Sequence, residues 1–273
     1  GYKNFSLDFF DKVEEFRPFT VFFGPNGYGK STLLQAIRIL SNPMQFTGRK
    51  NDLFFRKLTF DTNYDPTYYK LRKEKNKLFI SGEFIDSETG EIYKTEVLDG
   101  VVTSNLPHYN SDQDGWTIFS DSDHPINMNK FQINEECADN FLSLACSIYN
   151  LPCKLDKNVS TFDMDTSASY FLDFTLQKND VTVHYKRMSD GEKKIATLLR
   201  ALCDKLHFTK PRICLIDNIE MHIYFKRHPL LVEKLISVFP DTQFIVTSHS
   251  QTLIDYVGSS FGHESIVDLE SIK

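Results

Sequence analysis

A glycine-rich segment near the start of the chain has the composition of a phosphate-binding loop. Residues 24–31 are Gly-Pro-Asn-Gly-Tyr-Gly-Lys-Ser, which fits the pattern G-x-x-x-x-G-K-[ST]. Glycines let the backbone curl so that successive N–H groups point at one phosphate, and a helix that begins there presents its positive end. Lys30 would reach the β- and γ-phosphates, and the Ser31 hydroxyl would be a ligand of Mg²⁺. The segment therefore predicts a site for a nucleoside triphosphate.

An aspartate at the end of a second apolar strand would complete such a site. Residues 212–216 read as a strand that ends directly before Asp217. A phosphate loop of this kind needs a carboxylate on another strand to hold the Mg²⁺ shell. Ser31 and Asp217 are therefore the predicted metal-binding residues, and ATP and Mg²⁺ are the expected cofactors.

The residue after this aspartate is not the one expected of a fast ATPase. Many ATPases of this type place a glutamate there as the general base, but this chain has Asn218. An amide cannot take a proton at neutral pH, so it could only orient a water molecule by hydrogen bonds. Glu220 is the nearest carboxylate that could act instead, although a structural or interface role is the more usual one for such a residue.

The elements that must position these residues follow from the apolar pattern. Strands are predicted in residues 1–23 before the phosphate loop, and a helix over 31–40 after it. The pattern further predicts helices at about 135–149, 192–206 and 229–238, and strands at 170–176, 181–185, 212–216 and 243–247. This alternation predicts an α/β fold in which helices flank a mostly parallel sheet. Residues 66–103 resemble an antiparallel meander, and residues 104–130 read as a loop or an insertion.

Composition and charge exclude several classes of protein. The chain has 273 residues, 31 basic and 37 acidic, and its net charge of −6 argues against a surface that binds polyanions in general. No apolar run approaches the roughly 18 residues of a membrane span, and no signal peptide is evident, so a soluble, cytoplasmic protein is expected. The five cysteines form no C-x-x-C pair, which favours reduced thiols over a zinc site or a disulfide framework.

Four blocks of sequence, in this order, resemble the ABC-type P-loop ATPases of the SMC, RecF and OLD group. Residues 19–37 are similar to the first strand, the Walker A loop and its helix. Residues 188–193, Met-Ser-Asp-Gly-Glu-Lys, are similar to the signature motif. Residues 216–223 are similar to the Walker B stretch, and residues 244–250 to the switch strand that ends in a histidine.

This resemblance implies that two ATPase heads enclose two ATP molecules between them. Ser189, Gly191 and the helix from Glu192 of one subunit would cap the γ-phosphate held by Lys30 of the other. His249 would contact the same phosphate and report its presence. The predicted site residues are Asn218, Glu220 and His249 for catalysis; Asn26, Gly27, Gly29, Lys30, Ser31, Thr32, Ser189, Gly191 and Glu192 for the nucleotide; and Ser31 and Asp217 for the metal.

Some positions depart from the family pattern. Tyr28 stands where serine is common, and Asn218 replaces the catalytic glutamate. Gln45 comes early for the Q-loop and the next glutamine is Gln113, so no Q-loop residue is assigned.

The order of the motifs predicts one two-lobed ATPase head over residues 1–273. Lobe I would comprise about 1–103 and 169–200, an insertion about 104–168, and the signature, Walker B and switch region about 186–273. The chain has neither the long coiled coil of SMC relatives nor the Toprim nuclease of OLD relatives. Any effector, such as a nuclease, is therefore expected to be a separate chain or to lie outside this sequence.

Two functional hypotheses remain open. The first is an ATP-driven clamp that dimerises around two ATPs in DNA repair, chromosome maintenance or anti-phage defence, with slow hydrolysis because of Asn218. The second is a nucleotide-sensing scaffold that binds ATP without productive turnover and holds a separate effector. Lys73, Lys75 and Lys77 would share one strand face and could contact DNA phosphates, or they could simply protect an edge strand from aggregation.

Overall fold

The structure is a computed structural model that describes residues 5–10, 16–41, 53–62, 78–86, 89–98, 101–105, 118–119, 135–159, 170–209 and 213–272. The strands are β1 (Phe5–Asp8), β2 (Phe19–Phe23), β3 (Leu53–Thr62), β4 (Leu78–Asp86), β5 (Ile92–Leu98), β6 (Val101–Ser104), β7 (Ile118–Phe119), β8 (Cys153–Val159), β9 (Tyr170–Lys178), β10 (Val181–His184), β11 (Ile213–Ile216), β12 (Gln243–Ser248) and β13 (Ile266–Asp268). The α-helices are α1 (Lys30–Ser41), α2 (Glu135–Tyr149), α3 (Asp190–Thr209), α4 (His228–Val238) and α5 (Gln251–Phe261).

The described residues divide into two compact units. The first takes those within 1–121, 209–219 and 241–273, and the second those within 122–208 and 220–240. The predicted lobe I joined residues 1–103 to 169–200, whereas the described residues 170–200 lie in the second unit. The organisation as one two-lobed head stays a prediction.

A parallel sheet in the first unit has the strand order β13-β2-β12-β11-β7. Every residue of β11 and β12 is buried, which explains why their apolar residues form the continuous runs 213–216 and 244–246 rather than alternating with polar ones. The same unit has an antiparallel sheet with the order β1-β3-β4-β5-β6. Helix α1 begins directly after the loop that follows β2, so the predicted strand, loop and helix are present in that order.

One core joins α1 to both sheets of the first unit. Leu33, Leu34, Ile37 and Leu40 recur at helical spacing and are at most 1% exposed. They belong to one cluster with apolar residues of β3, β4 and β5 and of the parallel strands. Burial of each such side chain stabilises the fold by roughly 2 kcal/mol. The phosphate loop therefore lies between two well-anchored elements, β2 and α1.

The second unit contains α2, α3, α4 and an antiparallel sheet with the order β10-β9-β8. Phe141 of α2 meets Phe174 of β9 edge to face, with ring centroids 5.1 Å apart, and both rings are buried. Aromatic pairs of this geometry add about 1 kcal/mol beyond the burial of their area. This contact fixes α2 on the sheet that carries Lys178.

Most predicted elements are present, and several boundaries are corrected. Helix α3 begins at Asp190 and ends at Thr209 rather than covering 192–206, and strand β10 ends at His184. Within residues 104–130, which were expected to form a loop or an insertion, residues 118–119 form the short strand β7, parallel to β11. Sequence analysis missed β3, β8, α5 and β13. None of the helices in the described residues has the length and apolar character needed to cross a membrane.

Candidate nucleotide-binding site

The carboxyl ends of three parallel strands bring the predicted site residues to one edge of the sheet. Ser248 of β12 is paired with Phe23 of β2, so the residues after each, His249 and Gly24, lie at the same level. Ile216 of β11 is paired with Val246, which places Asp217 level with Thr247. Ligands of open α/β sheets bind outside the carboxyl ends of the strands, as expected for a site at this edge.

The phosphate loop has the curled backbone that its glycines allow. Gly27 and Gly29 have φ angles of +79° and +84°, in the left-handed region that other residues rarely adopt. Lys30 is 6% exposed, and its Nζ donates to the carbonyl oxygens of Gly24, at 2.7 Å, and Pro25, at 3.0 Å. The lysine charge is thus held across the loop, next to the N-terminus of α1. Asn26 of the loop is exposed, and Thr32, in the first turn of α1, is half-buried.

Ser31 and Asp217, the two predicted metal-binding residues, are in direct contact. The Ser31 Oγ donates to the Asp217 carboxylate, 2.9 Å from Oδ2 and 3.1 Å from Oδ1. Mg²⁺ is bound by hard oxygen ligands, commonly one or two protein groups together with phosphate oxygens and water. In the described part of the chain, no group of three or more His, Cys, Asp or Glu side chains could hold a metal ion. A hydroxyl and one carboxylate are oxygen ligands of the kind that Mg²⁺ takes together with phosphate oxygens and water.

Thr247 is a site residue that sequence analysis missed. It lies on β12 and is completely buried. Its Oγ1 donates to Asp217 Oδ1 and accepts from the N–H of Asn218 at 2.7 Å. Its carbonyl oxygen accepts from the N–H of Ile219 at 3.2 Å. The only available signal was a hydroxyl residue two positions before the switch histidine, and that pattern alone assigns no partner.

Asn218 and His249 follow the carboxyl ends of β11 and β12, at the edge of the sheet where Ser31 contacts Asp217. Asn218 is half-buried and has a φ angle of +51°, a left-handed conformation that asparagine tolerates better than most residues. His249 is exposed between the end of β12 and α5. Ser250 fixes this junction, because its hydroxyl accepts from the N–H of Leu253 at 3.2 Å and caps α5.

The signature residues form a capping box at the start of α3, in the second unit. The N–H and the hydroxyl of Ser189 both donate to Glu192 Oε2 at 2.9 Å. The Nζ of Lys178 is 2.6 Å from Glu192 Oε1. Burial raises the pKa of Glu192, but the hydrogen bonds from Lys178 and Ser189 outweigh it and lower the pKa overall. The hydroxyl of Tyr149 donates to the Glu192 carbonyl oxygen at 2.6 Å, and burial, followed by the nearby Cys153 and Glu192, raises the tyrosine pKa.

The first unit alone therefore brings together most of the predicted nucleotide-binding and metal-binding residues. The first unit contains the predicted site residues of the phosphate loop and α1, and also Asp217, Asn218 and His249. The signature residues and Glu220 lie in the second unit. Glu220 is half-buried, and its carbonyl oxygen accepts from the N–H of Ile223 at 3.0 Å. The roles assigned to all these residues stay predictions. Gln45, Gln113 and the lysines at 73, 75 and 77 lie outside the described residues.

Two family models match the chain. The model described as "AAA ATPase domain" matches residues 1–144. The model described as "AAA domain, putative AbiEii toxin, Type IV TA system" matches residues 139–255. The first match covers more than half of the chain, and together the two matches confirm the predicted α/β P-loop fold and the predicted assignment to the P-loop ATPases.

Curated relatives include two ATPases of retrons. The chain is 30% identical over 119 residues to "Retron Vc95 probable ATPase" of Vibrio cholerae serotype O1 biovar El Tor, covering 38% of this chain and 23% of the relative. It is 30% identical over 97 residues to "Retron Ec83 probable ATPase" of Escherichia coli, covering 32% of this chain and 18% of the relative. The matches thus span less than a quarter of either relative.

Solved structures of similar fold include heads of SMC proteins. The SMC head domain from Thermotoga maritima has 14% sequence identity and a TM-score of 0.47, covering 93% of this chain and 92% of that one. An SmcHead bound to the C-winged helix domain of ScpA has 14% identity and a TM-score of 0.48, covering 88% of this chain and 84% of that one.

Proposed function

The chain belongs to the AAA ATPase domain family, and from that premise we propose that it binds ATP with Mg²⁺ at the edge of the parallel sheet and hydrolyses it slowly. The hydrogen bond from Ser31 to Asp217 carries this proposal. It holds a loop hydroxyl and a strand carboxylate close enough for one cation to contact both. The Ser31 proton is donated to Asp217, so the oxygen lone pairs of the serine stay available to a metal.

The residues of the loop would hold and orient the triphosphate. The Nζ of Lys30 leaves the carbonyl oxygens of Gly24 and Pro25 and donates to phosphate oxygens instead, a stronger partner because it is charged. The first N–H groups of α1 have no partner within the helix and point at the same place. Bound Mg²⁺ supplies positive charge that neutralises phosphate oxygens during transfer.

Slow hydrolysis follows from the side chain of Asn218. A positioned general base contributes about 10²–10⁴-fold in rate, and an amide cannot act as one. Two variants introduce a carboxylate: Asn218→Asp, which keeps the size of the side chain, and Asn218→Glu. We expect the better of the two to cleave ATP in a single turnover on the order of 10²-fold faster than wild type.

Lys30→Ala is the matched negative control for that experiment. It should abolish both ATP binding and cleavage, because it removes the cation that the loop holds. If neither Asn218→Asp nor Asn218→Glu accelerates cleavage, Asn218 does not limit hydrolysis.

An ATP-dependent homodimer is the second part of the proposal. Ser189 is exposed, and a side-chain carbon built at Gly191 would meet nothing within 4 Å, so the start of α3 is open to an approaching phosphate. The N-terminus of α3 favours an anion there. ATP with Mg²⁺ should convert the monomer into a dimer, as measured by light scattering, and the Lys30→Ala variant should stay monomeric. A wild-type chain that remains monomeric at saturating ATP would refute this part.

The proposed setting is a complex in which ATP gates a separate effector, in anti-phage defence, DNA repair or chromosome maintenance. The similarity to two retron ATPases and to a family described with a toxin–antitoxin system favours a partnered protein. Contact with DNA is proposed through Lys73, Lys75 and Lys77. Reversal of these three charges should weaken DNA binding and flatten its salt dependence, and unchanged affinity would remove DNA from the proposal.

A nucleotide-sensing scaffold without productive turnover is the second candidate, and Asn218 is the observation that favours it. This candidate requires ATP to be bound and retained uncleaved. Multiple turnover by the wild-type chain that Lys30→Ala abolishes would exclude it in favour of the slow ATPase.

A further inference from the structure

A single buried threonine anchors three consecutive residues of the candidate site. Thr247 contacts Asp217 and Asn218 through its hydroxyl and Ile219 through its carbonyl oxygen. Asp217 also receives the Ser31 hydroxyl, so its carboxylate is held from two sides, by α1 and by β12. The position of the Asp217 carboxylate therefore depends on Thr247 as well as on β11, the strand that it follows.

The direction of the hydrogen bonds is fixed by the number of protons. A threonine hydroxyl has one proton, and the carboxylate of Asp217 can only accept it when ionised. The N–H of Asn218 must then donate to the same oxygen, as its 2.7 Å distance allows. The branched side chain of a threonine is restricted about its first torsion, so the oxygen moves with the strand that carries it.

We propose that Thr247 is a positioning residue that couples the end of β12, where His249 follows, to the metal-binding pair and to Asn218. The inference rests on the proposed function, because it gives that pair its role. Any displacement of the end of β12 is transmitted to residues 217–219 through three hydrogen bonds. A contact of His249 with a phosphate would therefore be linked to the geometry at Asp217 through the end of β12, which His249 follows and from which Thr247 contacts Asp217.

Two substitutions of Thr247 separate its hydroxyl from its shape. Thr247→Val keeps the branched shape and removes the hydroxyl, whereas Thr247→Ser keeps the hydroxyl and removes a methyl group. Thr20→Val is the matched control. Thr20 is completely buried on β2, the neighbouring strand, and its hydroxyl has no hydrogen-bond partner among the described residues.

Amide hydrogen exchange of the nucleotide-free full chain is the first test. Thr247→Val leaves the N–H of Asn218 without its acceptor, so we expect about tenfold faster exchange in a peptide that covers residues 217–220, the change for one lost hydrogen bond of ordinary strength. Thr247→Ser and Thr20→Val should exchange as wild type does. Equal exchange in Thr247→Val and wild type, or equally fast exchange in Thr247→Val and Thr247→Ser, would overturn the inference.

The Mg²⁺ dependence of ATP turnover is the second test. Loss of a partner that orients a metal ligand typically lowers metal affinity or activity by about 10–100-fold. We expect that loss in Thr247→Val, and near-complete recovery in Thr247→Ser. A Thr247→Val variant with the wild-type Mg²⁺ requirement and turnover contradicts the coupling. If the wild-type chain neither binds nor cleaves ATP, the proposed function fails, and hydrogen exchange still decides whether Thr247 positions residues 217–219.

Discussion

The charge of Glu192 should make the cap of α3 sensitive to low pH. The pKa of this carboxyl is lowered in the folded chain, because the hydrogen bonds from Lys178 and Ser189 outweigh the opposing effect of burial. A lowered pKa means that the carboxylate stabilises the fold above its unfolded pKa, about 4.3 for glutamate. That stabilisation is lost as the pH falls through the lower, folded-state pKa.

The substitution Glu192→Gln isolates the charge, because glutamine keeps an oxygen that can accept from Ser189. The Lys178 side chain is 42% exposed, so its ion pair contributes about 0.2–1 kcal/mol. Hydrogen bonds to a charged acceptor are stronger than neutral ones, and the two from Ser189 add about 1 kcal/mol. We expect Glu192→Gln to lower the free energy of unfolding by about 1–2 kcal/mol near neutral pH.

Urea denaturation of both proteins at several pH values checks this prediction. The difference between wild type and Glu192→Gln should shrink as the pH falls through the lowered, folded-state pKa of Glu192, and it should be near zero in acid below that pKa, where the wild-type carboxyl is protonated. Asp190→Asn is the control, since the Asp190 side chain is 98% exposed and lies 3.9 Å from Lys193. That control should unfold as wild type does. Equal stability of Glu192→Gln and wild type near neutral pH, or a difference that persists in acid, would refute the reasoning.

Three further predictions concern two residues of the second unit and one of the phosphate loop. Gly191→Ala should stabilise the monomer by about 0.5–1 kcal/mol, because alanine favours a helix and meets no neighbour there, but block the ATP-dependent dimer; thermal unfolding and light scattering measure the two effects. Tyr149→Phe removes the hydrogen bond to the Glu192 carbonyl oxygen and should lower stability by about 1 kcal/mol in urea denaturation. Gly27→Ala places a side chain at a φ angle of +79°, which should destabilise the chain by about 1–2 kcal/mol and weaken ATP binding in calorimetry.

The elements around the phosphate loop could be predicted because the pattern that identifies each one lies within the element itself. Apolar residues at helical spacing identified α1, and a continuous apolar run identified β2 and β11. The loop itself follows from glycine and lysine spacing. The pairing of Ser31 with Asp217 also follows, since the carboxyl ends of parallel strands share one edge of a sheet.

Contacts between distant parts of the chain could not be predicted in this way. Strand β13 has three residues and pairs with β2, more than 240 residues earlier, so its short apolar run gives little signal of its own. Strand β8 is mostly polar and has few large apolar residues, so its sequence gives a weak strand signal. It is a strand because it pairs with β9. Thr247 is separated from Asp217 by 30 positions, and only the register of β11 and β12 brings the two side chains together.

The backbone at Asn218 connects the chemistry of the site to its architecture. A left-handed conformation is unfavourable by about 1–2 kcal/mol for most residues and less so for asparagine and aspartate. Asn218→Glu and Asn218→Asp introduce the same charge, but only the glutamate has to overcome this penalty. The hydrogen bond from the N–H of residue 218 to Thr247 uses the backbone, so both variants can keep it. A difference in stability between the two variants would therefore measure the cost of the left-handed backbone at residue 218. A difference in their cleavage rates that stability does not explain would measure how far each carboxylate reaches.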